Sequence, residues 1–525
     1  MRSVRTTVAP IVLAGGIAVS PGADRGAGPG VPNTRVLRLI GWRDVNSLDP
    51  ALGDGLARIF ERDTCATLMS FRTNRAPNGD ILRPEAAVGA PRVLNSGRTY
   101  VFTVRKGLRF SDGSPLTAHN FKRALWRVKE PVMQSPGEKF FSDVRRVTAS
   151  GLHLRIDLSR PNADLPARLA LPYACPVPRD FPLEPAGVDL KLSSGPYKLA
   201  RHVPGSLLEF KRNPKYRGTR PHHLAGITLT VAGDVDSDIK AVEDGRADVY
   251  GNIIPGELLS GLAHRYGVNK RQLFRARGTA TAALALNTSQ PLFKGNVPLR
   301  RAVNFALDRA EIASRFSGGS LTRTPTDQIL PSGIPGWRNY HLYPLAGPNL
   351  SRAKKLANGN LRGGKAVLWT IRLPGDPVPV IVSNLRAIGL VVQVKVLALP
   401  VLNIKASIPG APYDMIFVGF PLDYPDPANA MIRLLGGANA HKPVGNDNFA
   451  YFDEPVYNRR MAADNRLTGS ARRKAFSRLD EDIMRNEAPW APVNEESDWL
   501  FVSKRVGCVK PQGYVRLDLA TFCFR

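Results

Sequence analysis

The sequence predicts an α/β architecture of more than one domain, and three observations carry that prediction. A chain of 525 residues, 43% apolar and 22% charged, can bury more than one core. Stretches of two-residue alternation recur between stretches of helical spacing, the order that builds βαβ units. Turn residues punctuate these stretches where a strand must give way to a helix.

The opening segment differs from the rest. Arg2 and Arg5 precede an apolar segment over residues 8–19, and a Gly/Pro-rich stretch ends near Pro32, so residues 1–34 read as a secretory signal and spacer. Pro10, Gly15 and Gly16 weaken its apolar centre, and a disordered tail is the other reading. Leu13-Ala14-Gly15-Gly16 is similar to a lipoprotein cleavage box with glycine where the lipid-bearing cysteine stands, so acylation there is chemically impossible. No run of 18 or more apolar residues exists, and no segment is expected to span a membrane after processing. An extracytoplasmic location without a lipid-bearing cysteine is the expectation.

From Arg35 a short strand passes into a Gly/Asp/Pro loop containing Ser47-Leu48-Asp49-Pro50, and residues 56–71, which include Cys65, have a helical pattern. Asn78-Gly79 makes a turn. In the stretch 97–126, Tyr100, Phe102 and Val104 alternate with Val101, Thr103 and Arg105, the period of a half-buried strand. Ser111-Asp112-Gly113-Ser114 has turn chemistry, and Thr117 can cap a helix whose Phe121, Ala124, Leu125 and Val128 share one face. Glu130-Pro131 ends it. Residues 131–193 are proline-rich and poorly periodic apart from a strand at 152–158.

Ser194-Gly195-Pro196-Tyr197 leads to a strand at 207–210 and to Arg212-Asn213-Pro214-Lys215-Tyr216. A strand at 227–231, a helix at 236–244 and a strand at 248–250 make one alternating unit. After a strand at 282–286, Pro298 opens a helix burying Leu299, Ala302, Val303 and Ala306, and Asn304 to Arg309 closes it. A second unit runs as strand 366–373, helix 380–388 stopped by Gly389, and strand 391–397. Residues 413–418 read as a buried strand, after which Gly419-Phe420-Pro421-Leu422-Asp423-Tyr424-Pro425-Asp426-Pro427 reads as a loop. Residues 470–485 form a basic amphipathic helix, and two of Asp480, Glu481 and Asp482 face water on it. The chain ends in a strand at 499–503 and a cysteine-bounded hairpin.

Cys65, Cys175, Cys508 and Cys523 lack zinc-type spacing. Their even number in an exported chain suggests disulfides, Cys508 with Cys523 around Pro511 and Gly513, and Cys65 with Cys175, against four buried free thiols. The formal net charge of +29 is spread along the chain and forms no basic run interleaved with stacking aromatics, which argues against a specific nucleic-acid groove. An anionic envelope surface, or plain solubility, is the beneficiary. GxSxG, GxxxxGK[ST], HExxH and strand-linked GxGxxG are all absent, and the neighbouring His222 and His223 point apart. Neither an enzyme nor a cofactor is expected.

The order "alternating strand, Arg105-Lys106-Gly107, Phe110-Ser111-Asp112-Gly113, Pro115-Leu116-Thr117-Ala118, helix" resembles the signature segment of the family 5 extracytoplasmic solute-binding proteins of ABC importers. Ser47-Leu48-Asp49-Pro50, Gly195-Pro196-Tyr197, Arg212-Asn213-Pro214-Lys215-Tyr216 and the Asn304 to Arg309 helix end match further phrases in family order. The resemblance implies a two-lobed periplasmic-binding-protein-like fold (type II, cluster C) with an extra domain beside the first lobe. It places lobe I at 35–66, 189–285 and 492–525, the extra domain at 67–188 and lobe II at 286–491. It implies a monomer that closes by hinge motion on a short peptide and presents it to a membrane permease. A sugar, a nickel chelate, or a polyanion-binding role with a vestigial cleft are the alternatives.

In peptide-binding members the matching loop supplies an aspartate to the peptide's α-ammonium, which by position is Asp423. Asp54 stands where a second carboxylate often lies, Phe420 where an aromatic lines the groove, and Phe140 opposite it from the extra domain. Pro421 departs from the pattern, since it has no N–H to donate to a ligand. The plain alternatives are a capping role for Asp423, a core position for Phe420 and a turn role for Asp54.

Overall fold

The computed structural model describes residues 35–525 except 43, 54, 74–79, 232, 277, 374, 443, 444 and 511–516. The signal and spacer segment, Asp54, Pro511 and Gly513 lie outside the described residues.

A seven-stranded sheet has the spatial order Leu273–Ala276, Asp498–Val502, Val249–Tyr250, Val36–Trp42, Gly226–Val231, Leu207–Arg212, Tyr197–Val203. Val36–Trp42 sits inside it, parallel to both neighbours, and buries Leu37 and Leu39. Its two parallel partners are joined by the helix Val235–Glu243, whose first turn is capped by Asp234 accepting the Ser237 N–H at 2.9 Å. This is the first alternating unit expected from sequence.

The second unit lies in a six-stranded sheet of order Arg323–Pro325, Trp490–Glu496, Ala280–Leu286, Met415–Pro421, Lys365–Thr370, Val391–Val396. Lys365–Thr370 and Val391–Val396 pair in parallel across the helix Val378–Arg386, which buries Ile381 and Leu385. Gly389, at φ +97°, takes a conformation closed to most side chains and turns the chain back into the sheet. Ala280–Leu286 and Trp490–Glu496 pair with each other here, so residues 280–285 and 492–496 share this sheet and not the seven-stranded one.

The stretch 97–126 builds a third layer. Thr99–Thr103 lies in a four-stranded antiparallel sheet with Arg92–Leu94, His153–Leu158 and Val144–Ser150. The helix Ala118–Lys129 covers it, and Phe102, Phe121, Leu125 and Val128 meet in one core. Asn120 Oδ1 accepts the Thr117 N–H at 2.8 Å and closes the helix start.

Two elements differ from expectation. The helical pattern over 56–71 splits into the helix Ala57–Thr64 and the strand Met69–Thr73, which pairs with Asp80–Pro84. Ala57 and Phe60 face the core of the seven-stranded sheet, whereas Leu68 and Phe71 face that of the four-stranded sheet, and one straight helix cannot serve both. The buried strand at 413–418 begins later and runs on as Met415–Pro421, with Phe420 opposite Thr281. Both expected disulfides form, Cys65–Cys175 and Cys508–Cys523.

The chain passes between the two large sheets before Ala280 and after Glu496. A Cβ added at Gly278 would lie 1.2 Å from the Glu496 carbonyl oxygen, so only glycine lets the two crossings run side by side. Gly278→Ala is expected to force them apart and cost about 1–3 kcal/mol. A lower urea midpoint at unchanged slope is the expected readout.

On the helix Gly469–Asn486, Glu481 pairs with Arg338 and Arg485 and Asp482 with Arg460, while Asp480 turns inward and is fully buried. Asp480 accepts the N–H groups of Leu330 (3.1 Å) and Ile329 (3.4 Å). Burial pushes its pKa up to about 7, and these bonds offset only part of that. A carboxyl raised on folding contributes stability that is fully present below its ordinary 3.8 and is lost as pH rises through about 7. Asp480→Asn is therefore expected to flatten the fall in melting temperature between those pH values. Parallel wild-type and variant curves would count against it.

Candidate functional site

The loop that leaves Met415–Pro421 runs into the helix Pro427–Leu435, and the cap of that helix is Asp426, which accepts the Ala428 N–H at 2.9 Å. Asp423 is thereby free of the capping role. Its backbone N–H donates to Asn429 Oδ1 (2.9 Å), which fixes the loop, and its side chain reaches the wall of a cavity of about 450 Å³. One wall of this cavity comes from residues 423–466, and the other from residues 139–168 of the domain built on the four-stranded sheet.

Two cations hold Asp423. Arg433 Nη1 lies 3.0 Å from Oδ2 and Lys139 Nζ lies 3.7 Å from Oδ1. Arg433 also reaches Asp447 Oδ2 through Nε (2.6 Å) and the Pro421 carbonyl (3.0 Å). Burial works against its charge, but Asp447 and Asp423 outweigh it and its pKa is raised. The Lys139 contact is of a different kind: its side chain is 49% exposed and 3.7 Å is beyond hydrogen-bond range.

The opposite wall is rigid. Arg168 is buried and forks onto Asp143, with Nη1 at 2.7 Å from Oδ1 and Nη2 at 3.1 Å from Oδ2. Its Nε lies 2.7 Å from Asp164. Burial opposes the Asp143 charge, yet Arg168 and Asn162 win and hold its pKa below the ordinary value. Asp164 accepts the Tyr424 hydroxyl at 2.7 Å, so a residue of the loop closes onto the domain opposite. Asn465 Nδ2 donates to Asn162 Oδ1 (2.9 Å) across the same boundary.

The structure brings Asp423 and Phe140 to one cavity. Phe140 is 6% exposed, stacks on Tyr173 at 5.7 Å and meets Tyr424 edge-on at 6.3 Å. Phe420 is not among the lining residues. Its ring packs at 4.7 Å on Trp490 and 6.0 Å on Phe449 inside the core of the six-stranded sheet, because the longer strand gives it the parity of Ile416 and Val418. Asp54 lies outside the described residues. Sequence reasoning missed Tyr424, Arg433 and the Arg168 cluster. Tyr424 stood in the quoted loop and Asp164 stands four residues before Arg168, whereas Asp143 reaches Arg168 only through the fold.

A second cavity, of about 1160 Å³, flanks the Gly278 crossing, with Phe274, Arg275, Trp337 and Glu495 among its walls. Asp423, Phe420 and Phe140 are not among its lining residues. Among the described residues no helix is long and apolar enough to cross a membrane.

The curated relatives include Protein XP55 of Streptomyces lividans, 28% identical over 52% of this chain and 48% of the relative. They also include the periplasmic oligopeptide-binding protein OppA of Haemophilus influenzae, 27% identical over 45% and 47%. The matches thus span about half the length of these relatives. Among solved structures, clavulanic acid biosynthesis oligopeptide binding protein 2 superposes with a TM-score of 0.84 at 24% identity, over 93% of this chain and 95% of that one. That likeness shows the fold, a two-lobed α/β binding protein. The family model described as "Bacterial extracellular solute-binding proteins, family 5 Middle" matches residues 82–442, more than half of the chain. The chain belongs to the bacterial extracellular solute-binding proteins of family 5, which are binding proteins and not enzymes.

Proposed function

We propose that this protein is the extracytoplasmic substrate-binding component of an ABC importer, and that it captures short peptides and delivers them to a membrane permease. One observation carries the reading: Asp423 stands at a cavity wall with an ammonium already beside it. Arg433 fixes Oδ2, and the half-exposed Lys139 approaches Oδ1 only to 3.7 Å. So loose an exposed pair contributes about 0–1 kcal/mol, and a peptide α-ammonium taking its place would make a shorter, charge-assisted bond. Relatives named for oligopeptide binding support the peptide class.

Sheet membership supports a division into two lobes that exchange chain just before Ala280 and just after Glu496, with the four-stranded-sheet domain as the third body. Hinge motion at the crossings would close the lobes on the ligand. The test is native mass spectrometry of protein purified from its own cell envelope. A trapped peptide is the expected result, and a bound sugar or metal chelate in its place would overturn the reading.

A further inference from the structure

Among the described residues fifteen large apolar side chains stand exposed, and seven of them fall between Val391 and Ile408. Scattered apolar exposure is ordinary, but a concentration of this kind marks a binding surface. The strand Val391–Val396 is the last of the six-stranded sheet and pairs on one side only, with Lys365–Thr370. It exposes Val391, Val394 and Val396. The helix Leu399–Ala406 follows after two residues and buries only Leu402 and Ala406. Val401 and Ile404 share an outer stripe at i and i+3, and Ile408 extends it past the helix end at i+7. A surface helix turns polar residues outward, whereas here Leu399 and Val401 stand in the open and Ile404 is 67% exposed.

The charge around this patch is nearly all of one sign. From Lys365 to Tyr413 the chain carries Lys365, Arg372, Arg386, Lys395 and Lys405, all exposed, against one carboxylate, Asp376. Lys365 lies opposite Val391, and Lys395 stands within the strand itself. An apolar face interspersed with cations is complementary to an anionic bilayer. The valine, leucine and isoleucine side chains enter the interface, and each lysine or arginine near the headgroups adds to the attraction. The net charge of +29 draws the whole chain the same way. A second copy is a poorer fit. It would set these cations against their own kind with Asp376 alone to answer them, and Lys395 on an open edge opposes pairing of strand to strand.

We propose that the strand Val391–Val396 and the helix Leu399–Ala406, with Ile408, form a docking surface for an anionic phospholipid bilayer, so that the protein lies against the membrane through these elements. The inference is independent of what the cavity binds.

Vesicle sedimentation with the full chain tests it, using vesicles of phosphatidylcholine alone and of phosphatidylcholine mixed equally with phosphatidylglycerol. Partition into the anionic vesicles is expected to exceed partition into the neutral ones at least tenfold. In the double variant Val401→Glu, Ile404→Glu it is expected to fall at least tenfold at unchanged melting temperature. The double variant Val88→Glu, Val132→Glu changes the net charge equally at two exposed valines of the four-stranded-sheet domain, and is expected to cost less than threefold. Should the first variant melt lower, Ile408→Glu, beyond the helix, repeats the test. Equal losses in the two double variants would assign the binding to bulk charge and overturn the surface, as would a partition that survives Val401→Glu, Ile404→Glu. Equal partition into both kinds of vesicle, or none into either, would also overturn it, and the second result would leave the face to a protein partner. A dimer in sedimentation equilibrium that Val401→Glu, Ile404→Glu dissociates would give the face to a second copy and overturn the bilayer.

Discussion

Asp49→Ala is expected to destabilise the protein by about 3–5 kcal/mol, because it would strand a buried guanidinium. Arg127 Nη1 and Nη2 lie 2.8 and 2.7 Å from the two Asp49 oxygens, and the side chains are 1% and 0% exposed. The same carboxylate accepts the N–H groups of Ala51 (3.0 Å) and Val188 (3.1 Å), while Arg127 Nε donates to the Pro182 carbonyl (2.8 Å). Removing one charge leaves the other desolvated without a counter-charge, which costs more than the intact pair contributes.

The double variant Asp49→Leu, Arg127→Met separates this account from simple packing loss. With both charges gone nothing is stranded, and much of the stability is expected to return. Urea unfolding with the disulfides intact is the measurement. Equal losses in single and double variants would place the cost in packing and refute the stranded charge. The pair also gives the Ser-Leu-Asp-Pro phrase a structural role. Asp49 ties the loop after Val36–Trp42 to the helix Ala118–Lys129, and so joins the seven-stranded sheet to the four-stranded domain.

What the sequence discloses about this fold is local. The alternation of Tyr100 and Phe102, the Thr117 cap and the Gly389 stop depend on neighbours a few residues away, and the structure keeps all three. The run at 56–71 misleads because its apolar spacing satisfies a helix while its two halves face different cores, a fact of the tertiary fold. Phe420 misleads by two residues of strand: counted as loop it faces a ligand, counted as strand it joins Ile416 and Val418 beneath Trp490. The cavity is least legible of all. Asp164 meets Tyr424 across 260 positions, and no pattern of spacing records which charges a fold will pair and which it will leave over.

Asp423→Ala is expected to weaken short-peptide binding at least tenfold, because truncating one partner of a desolvated charge pair typically costs about 2 kcal/mol or more. The fold is expected to tolerate the change. Arg433 keeps Asp447 at 2.6 Å and the Pro421 carbonyl at 3.0 Å, so its guanidinium is not stranded, and the loop keeps the Asp423 N–H bond to Asn429 and the Asp426 cap. Affinity should therefore drop without a matching drop in melting temperature. Asp423→Asn, which preserves shape and removes charge, should lose nearly as much. Acetylating the peptide's N-terminus supplies the second arm of a double-mutant cycle. The blocked peptide should bind wild type at least tenfold more weakly than the free one, and the two should bind Asp423→Ala alike. If acetylation costs the same in both proteins, the α-ammonium lies elsewhere and Asp423 serves only to hold Arg433.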